Sequence, residues 1–91
     1  MNNKNYNYPL MDDWSTEEII VACNFFAAVE KYYENGIDTS EFIELYEKYL
    51  SLVPAKMHQK QLDKKFKEES GYSIYQATQA IKNTNKKFIK G

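Results

Sequence analysis

The chain has no arginine, one cysteine, one histidine, two prolines and three scattered glycines in 91 residues. Each shortage closes a route. A lone cysteine, Cys23, cannot form an internal disulfide, which excludes a secreted scaffold stapled by bridges and makes the reducing cytoplasm the expected location. Cys23 also lies within an apolar run with no base beside it, so it reads as a small packed hydrophobe rather than a nucleophile. His58 has no second histidine or paired cysteine at ligand spacing; no metal site is expected, and the residue reads as a surface or partly buried side chain. The isolated glycines form no phosphate-cradling loop, so no cofactor is expected either. The longest mostly apolar stretch, Ile19 to Val29, is interrupted by Asn24 and is far short of the ~20 residues that span a bilayer. Met1 to Tyr8 is Asn-rich and leads into no apolar run of signal-peptide type. Neither membrane insertion nor export is expected.

What is present is a folding composition. Hydrophobic residues make up 43% of the chain and aromatics 15%, enough apolar surface to offset the entropy of ordering it. At this length one domain spanning 1–91 is expected, with an N-terminal arm over 1–13 and a frayed tail from about residue 84. The net charge of −1 conceals an asymmetry. Residues 1–53 carry three Lys against ten acids, and residues 54–91 carry nine Lys against three acids, leaving an acidic first half and a basic second half. Such halves can complement each other within one chain, pair between chains, or simply be solvated.

Four helices are legible from their punctuation. Ser15 with Glu18 makes a capping box, flanked by Trp14 and Ile19 at hydrophobic-staple spacing, and Gly36 closes the helix after Asn35. The pattern repeats with Asp38 as cap, Glu41 as its box partner and Ile37 with Phe42 as staple, ending near Val53 because Pro54 disfavours helical geometry in the residue before it. Pro54 is expected to open a third helix reaching about Ser70 and stopping at Gly71. Ser73 with Gln76 caps a fourth through about Asn83. No alternating strand pattern and no solenoid repeat is present, so the spacing predicts an all-α fold: a compact bundle of three to four short helices. The first helix carries Ile19, Ala22, Cys23, Phe26, Val29 and Tyr33 on one face and Val21, Phe25, Ala28 and Tyr32 on an adjoining one. That breadth makes it the expected central element.

Chemistry is sparse. Glu30 and Glu34 lie one helical turn apart, and Asp12, Asp13, Glu17 and Glu18 cluster at the first helix start, so a carboxylate pair is formally available. Acids at a helix start are expected in any case from the helix dipole. Lys56, Lys60, Lys64 and Lys67 recur on one face of the third helix, with Tyr72 and Tyr75 as stacking surfaces downstream. Without arginine this face offers only salt-sensitive, sequence-unspecific contact with a nucleic-acid backbone. The fourteen aromatics include eight Tyr, a residue suited to interfaces because it joins a large contact area to a polar tip. The second face of the first helix, through Phe25 and Tyr32, and the Tyr8-Pro9-Leu10 arm are the candidate interaction surface.

Along the chain, Tyr8-Pro9-Leu10, Asp13-Trp14-Ser15-Thr16-Glu17-Glu18, Phe25-Phe26, Val29-Glu30, Tyr33-Glu34, Gly36, Tyr46, Val53-Pro54, Lys56, Ser70-Gly71-Tyr72 and Tyr75 together resemble the YktA-like uncharacterised protein family of low-GC Gram-positive bacteria. The resemblance spans about Tyr8 to Lys82. It implies a short, cytoplasmic, helical protein and supplies no activity and no functional residues. The chain departs from that pattern at Met11-Asp12, where the family has Asp then Leu, and at His58-Gln59, where it has acids, which makes the third helix more basic here. The expected function is therefore a non-enzymatic interaction or regulatory domain with a protein partner or a second copy of itself. A weak nucleic-acid binder and a carboxylate enzyme are the alternatives.

Overall fold

Capping residues and staggered apolar stripes put the helices where the sequence places them. The structure, a computed structural model, describes residues 8–91; residues 1–7 of the expected arm lie outside the described residues. The elements are α1 (Thr16–Glu34), β1 (Ile37–Asp38), α2 (Thr39–Leu52), α3 (Lys56–Ser70), α4 (Ile74–Lys82) and β2 (Phe88–Ile89). The architecture is a small all-α bundle carrying one minimal antiparallel pair, with Ile37 opposite Ile89 and Asp38 opposite Phe88. No helix of the described residues is long and apolar enough to cross a membrane.

The α1 capping box forms as expected: Glu18 N–H donates to Ser15 Oγ at 3.2 Å and Ser15 N–H donates to Glu18 Oε1 at 2.8 Å. Gly36, at φ +91°, ends the helix, and at α4 Gln76 N–H donates to Ser73 Oγ at 3.0 Å. Three expectations are corrected. Asp38 occupies the N-cap of α2 but its side chain accepts no capping bond; its backbone is engaged in the strand pair, and the neighbouring Thr39 N–H donates to Lys87 O at 2.8 Å. Pro54 does not open α3: Ala55 is the N-cap, with extended backbone at ψ 126°, so Pro54-Ala55 serves as a stiff corner before the helix. The Lys-rich tail does not trail away. Beyond the strand pair, Thr39 Oγ1 donates to Lys86 O at 3.1 Å and Gly91 N–H donates to Tyr32 O at 2.9 Å. A two-residue strand is too short to leave an alternating pattern, and its partner lies fifty residues away.

The core is aromatic and is organised by the Phe25-Phe26 dipeptide of α1. Neighbouring helical positions point about 100° apart, so the two rings serve different helices. Phe25 stacks on Tyr49 of α2 at 4.5 Å and meets Phe42 edge-on at 5.4 Å. Phe26 stacks on Phe66 of α3 at 5.2 Å. Ile74, Ala77, Thr78 and Ile81 of α4 complete the buried layer. Burying each such large side chain contributes roughly 1.5–3 kcal/mol. Helix α1 is the central element: both of its expected faces bury residues.

Candidate functional site

Phe25 and Tyr32, expected on an interaction surface, are instead buried in the chain's own core. The arm follows them inward. The Tyr8 ring packs 5.5 Å from Phe26 and 6.3 Å from Phe66, Pro9 is buried, and only Leu10 is exposed. The breadth of apolar surface on α1 thus reflects burial by several neighbours within the chain, since α2, α4, the arm and the tail all lie against it.

The α1 carboxylates have structural partners. Tyr8 donates its hydroxyl hydrogen bond to Glu30 at 2.7 Å and Tyr72 donates to Glu34 at 2.7 Å. Tyr72 also stacks on Tyr33 at 4.6 Å, nearly coplanar, so it is not the open stacking surface that was expected. Cys23 is half-buried, and burial pushes its thiol pKa up, away from the reactive thiolate.

One concavity lies between α2, α3 and α4. Helical spacing builds each wall: Tyr46, Tyr49 and Leu50 on α2, Lys56, Gln59, Lys60 and Asp63 on α3, and Ile74, Tyr75, Thr78, Gln79 and Lys82 on α4. Its volume is about 430 Å³, within the range of small-molecule sites. A second depression of about 270 Å³, with Phe42, Ile43 and Ile81 in its lining, shares Tyr46, Leu50, Thr78 and Lys82 with the first. Gln59 Nε2 donates to Val53 O at 2.8 Å and holds the α2–α3 corner beside the cleft.

Two features set this cleft apart. Tyr49 is 1% exposed and Thr78 5%, yet Tyr49 OH and Thr78 Oγ1 have no hydrogen-bond partner among the described residues. A buried polar atom left unsatisfied costs about 1–3 kcal/mol. The charged groups are also unmatched. Lys31 pairs with Glu41 at 3.8 Å and Lys48 with Glu44 at 3.9 Å, both inside the acidic half, whereas Lys56, Lys60 and Lys82 form no ion pair with the described residues. Lys82 Nζ lies 5.5 Å from the centre of the Tyr46 ring. Asp63 is the one carboxyl in the cleft wall, and burial pushes its pKa up to about 6. Burial, with Asp63 as a second cause, also raises the pKa of Tyr46 and Tyr49.

Of the candidate nucleic-acid face, Lys56 and Lys60 line the cleft, and Lys64 and Lys67 are exposed outside it. Tyr75 is 61% exposed at the rim. Sequence reasoning passed over Tyr46, Tyr49, Asp63 and Thr78 as site residues. Two signals were present: Thr78 is the one hydroxyl on the apolar stripe of α4, and Asp63 is the one acid between Lys56 and Lys67, beside the buried Leu62.

The family model for an uncharacterised protein family, UPF0223, matches residues 5–90. A UPF0223 protein of Streptococcus thermophilus (strain CNRZ 1066) is 46% identical over 89 residues, covering 98% of this chain and 96% of the relative. UPF0223 protein YfdD of Lactococcus lactis subsp. lactis (strain IL1403) is 43% identical, covering 94% of this chain and 92% of the relative. A UPF0223 protein of Staphylococcus aureus (strain MRSA252) is 46% identical over 77 residues, covering 85% of each chain. The chain belongs to the UPF0223 family, an uncharacterised family found in low-GC Gram-positive bacteria, as the residue pattern implied.

Proposed function

We propose that this member of the UPF0223 family is a non-enzymatic binding domain of regulatory type, and that it works through the cleft between α2, α3 and α4. The observation that carries the reading is the pair of buried, unpartnered hydroxyls, Tyr49 OH and Thr78 Oγ1. A chain of this size has a total stability of only about 5–15 kcal/mol, so two such penalties are a large fraction of it. Each of these oxygens has under 1 Å² of accessible surface, so a bound partner supplies the missing hydrogen bonds by displacing the side chains that cover them. Lys56, Lys60 and Lys82 around the same cleft favour a partner that is anionic. Binding rather than catalysis is favoured because the cleft wall holds a single carboxyl, Asp63, where acid–base chemistry on paired carboxylates needs two. A cytoplasmic setting is part of the proposal and rests on the lone free cysteine.

Protein-observed NMR with a library of small anions and fragments tests this reading. Hits are expected to shift amides of residues 46–50, 59–63 and 74–82 together. Hits that cluster on α1, or scatter over the surface, would overturn it.

A further inference from the structure

Resting on the cleft reading above, we infer that the ligand is a nucleoside monophosphate: a planar ring bearing hydrogen-bonding groups, joined through a hydroxylated spacer to a phosphate. Four observations lead there. Lys56, Lys60 and Lys82 supply three ammonium groups without acidic partners among the described residues, a setting for a doubly charged phosphate. Tyr75 supplies a ring surface: its neighbours among the tyrosines, Tyr8, Tyr32, Tyr33, Tyr46, Tyr49 and Tyr72, each pack against another aromatic ring, whereas Tyr75 packs against none among the described residues and is exposed at the rim. Such a face is where a base stacks.

The cleft lining includes polar groups, Tyr49, Thr78 and Asp63. Tyr49 OH and Thr78 Oγ1 each both donate and accept, and the Asp63 carboxylate can only accept once ionised. A partner that meets all three at neutral pH must carry donors as well as acceptors, as a base edge and ribose hydroxyls do. The volume, about 430 Å³, is in the lower part of the small-molecule range, suited to one nucleotide rather than a strand.

The test is a titration of nitrogen-15-labelled protein at low salt with AMP, GMP, CMP and UMP, and separately with adenosine, inorganic phosphate and a Glu-rich peptide. At least one mononucleotide is expected to saturate shifts at residues 46–50 and 74–82. For AMP as that probe, adenosine and phosphate should each bind about tenfold or more weakly, since each keeps only part of the contacts. Tyr75→Ala, at an exposed position where folding is retained, should weaken binding several-fold, and Lys82→Gln about tenfold. Phosphate equalling every mononucleotide would overturn the nucleotide while leaving an anion cleft. Shifts at the cleft from the peptide alone would do the same in favour of an acidic protein partner. No shifts there from any probe would overturn both readings.

Discussion

The two flanks of the bundle treat their tyrosine hydroxyls in opposite ways. Around α1, three of them tie elements together: Tyr8 to Glu30, Tyr33 to Ser73 O at 2.9 Å, Tyr72 to Glu34. In the cleft of α2, α3 and α4, Tyr49 OH and Thr78 Oγ1 are buried and tied to none of the described residues. Both flanks draw on the same aromatic core, so the difference does not come from packing. It separates hydroxyls that hold the fold together from hydroxyls with no partner among the described residues, and the proposed function rests on the second kind.

The sharpest way to break that comparison is to remove what the flanks share. Phe26→Ala takes away the ring that stacks on Phe66 and meets Tyr49 edge-on at 5.6 Å. It should cost about 3–5 kcal/mol, seen in urea unfolding as a collapse of both flanks in one transition. Loss confined to one flank would contradict the shared core. Tyr33→Phe tests the α1 flank alone. Deleting the donor to Ser73 O should cost about 0.5–1.5 kcal/mol, lowering Tm by roughly 2–12 °C for a domain of this size, and should leave binding in the cleft unchanged.

Asp63→Asn tests the cleft through pH. Burial raises the Asp63 pKa from the ordinary 3.8 to about 6, so the folded chain holds that proton more tightly than the unfolded one. Its stabilising effect is fully present below pH 4, is lost as pH rises through about 6, and is absent above. Relative to the parent, Asp63→Asn should therefore gain stability only as pH rises through that window, and at pH 7.5 it should bind small anions more tightly, with one like charge removed. A stability difference independent of pH between 4 and 7 would show that Asp63 is not desolvated by the cleft.

Much of the fold was legible because it is written locally. Ser15 with Glu18 and Ser73 with Gln76 settle two helix starts within four residues each, and Gly36 and Gly71, at φ +91° and +82°, settle two stops. What was illegible depends on residues far apart in sequence. Asp38 reads as half of a capping box, yet its side chain accepts no bond and its backbone pairs with the tail, and Phe25 and Tyr32 look like an unclaimed face until α2 and the C-terminus cover them. The cleft is hidden for the same reason. Lys56 and Lys60 were visible as a charged face and Thr78 as a member of a buried stripe, but only the packing of α4 beside α2 and α3 sets them in one wall.

The most direct test is the unfolding stability of Tyr49→Phe combined with Thr78→Val, two near-isosteric changes that delete the unpartnered hydroxyls and nothing else. If the missing partner lies outside the chain, the variant should be more stable than the parent by about 1–3 kcal/mol per site, with Tm raised accordingly, and should bind small anions in the cleft at least tenfold more weakly. A variant less stable than the parent would show that the chain itself partners these hydroxyls, and the cleft would lose its standing as the site.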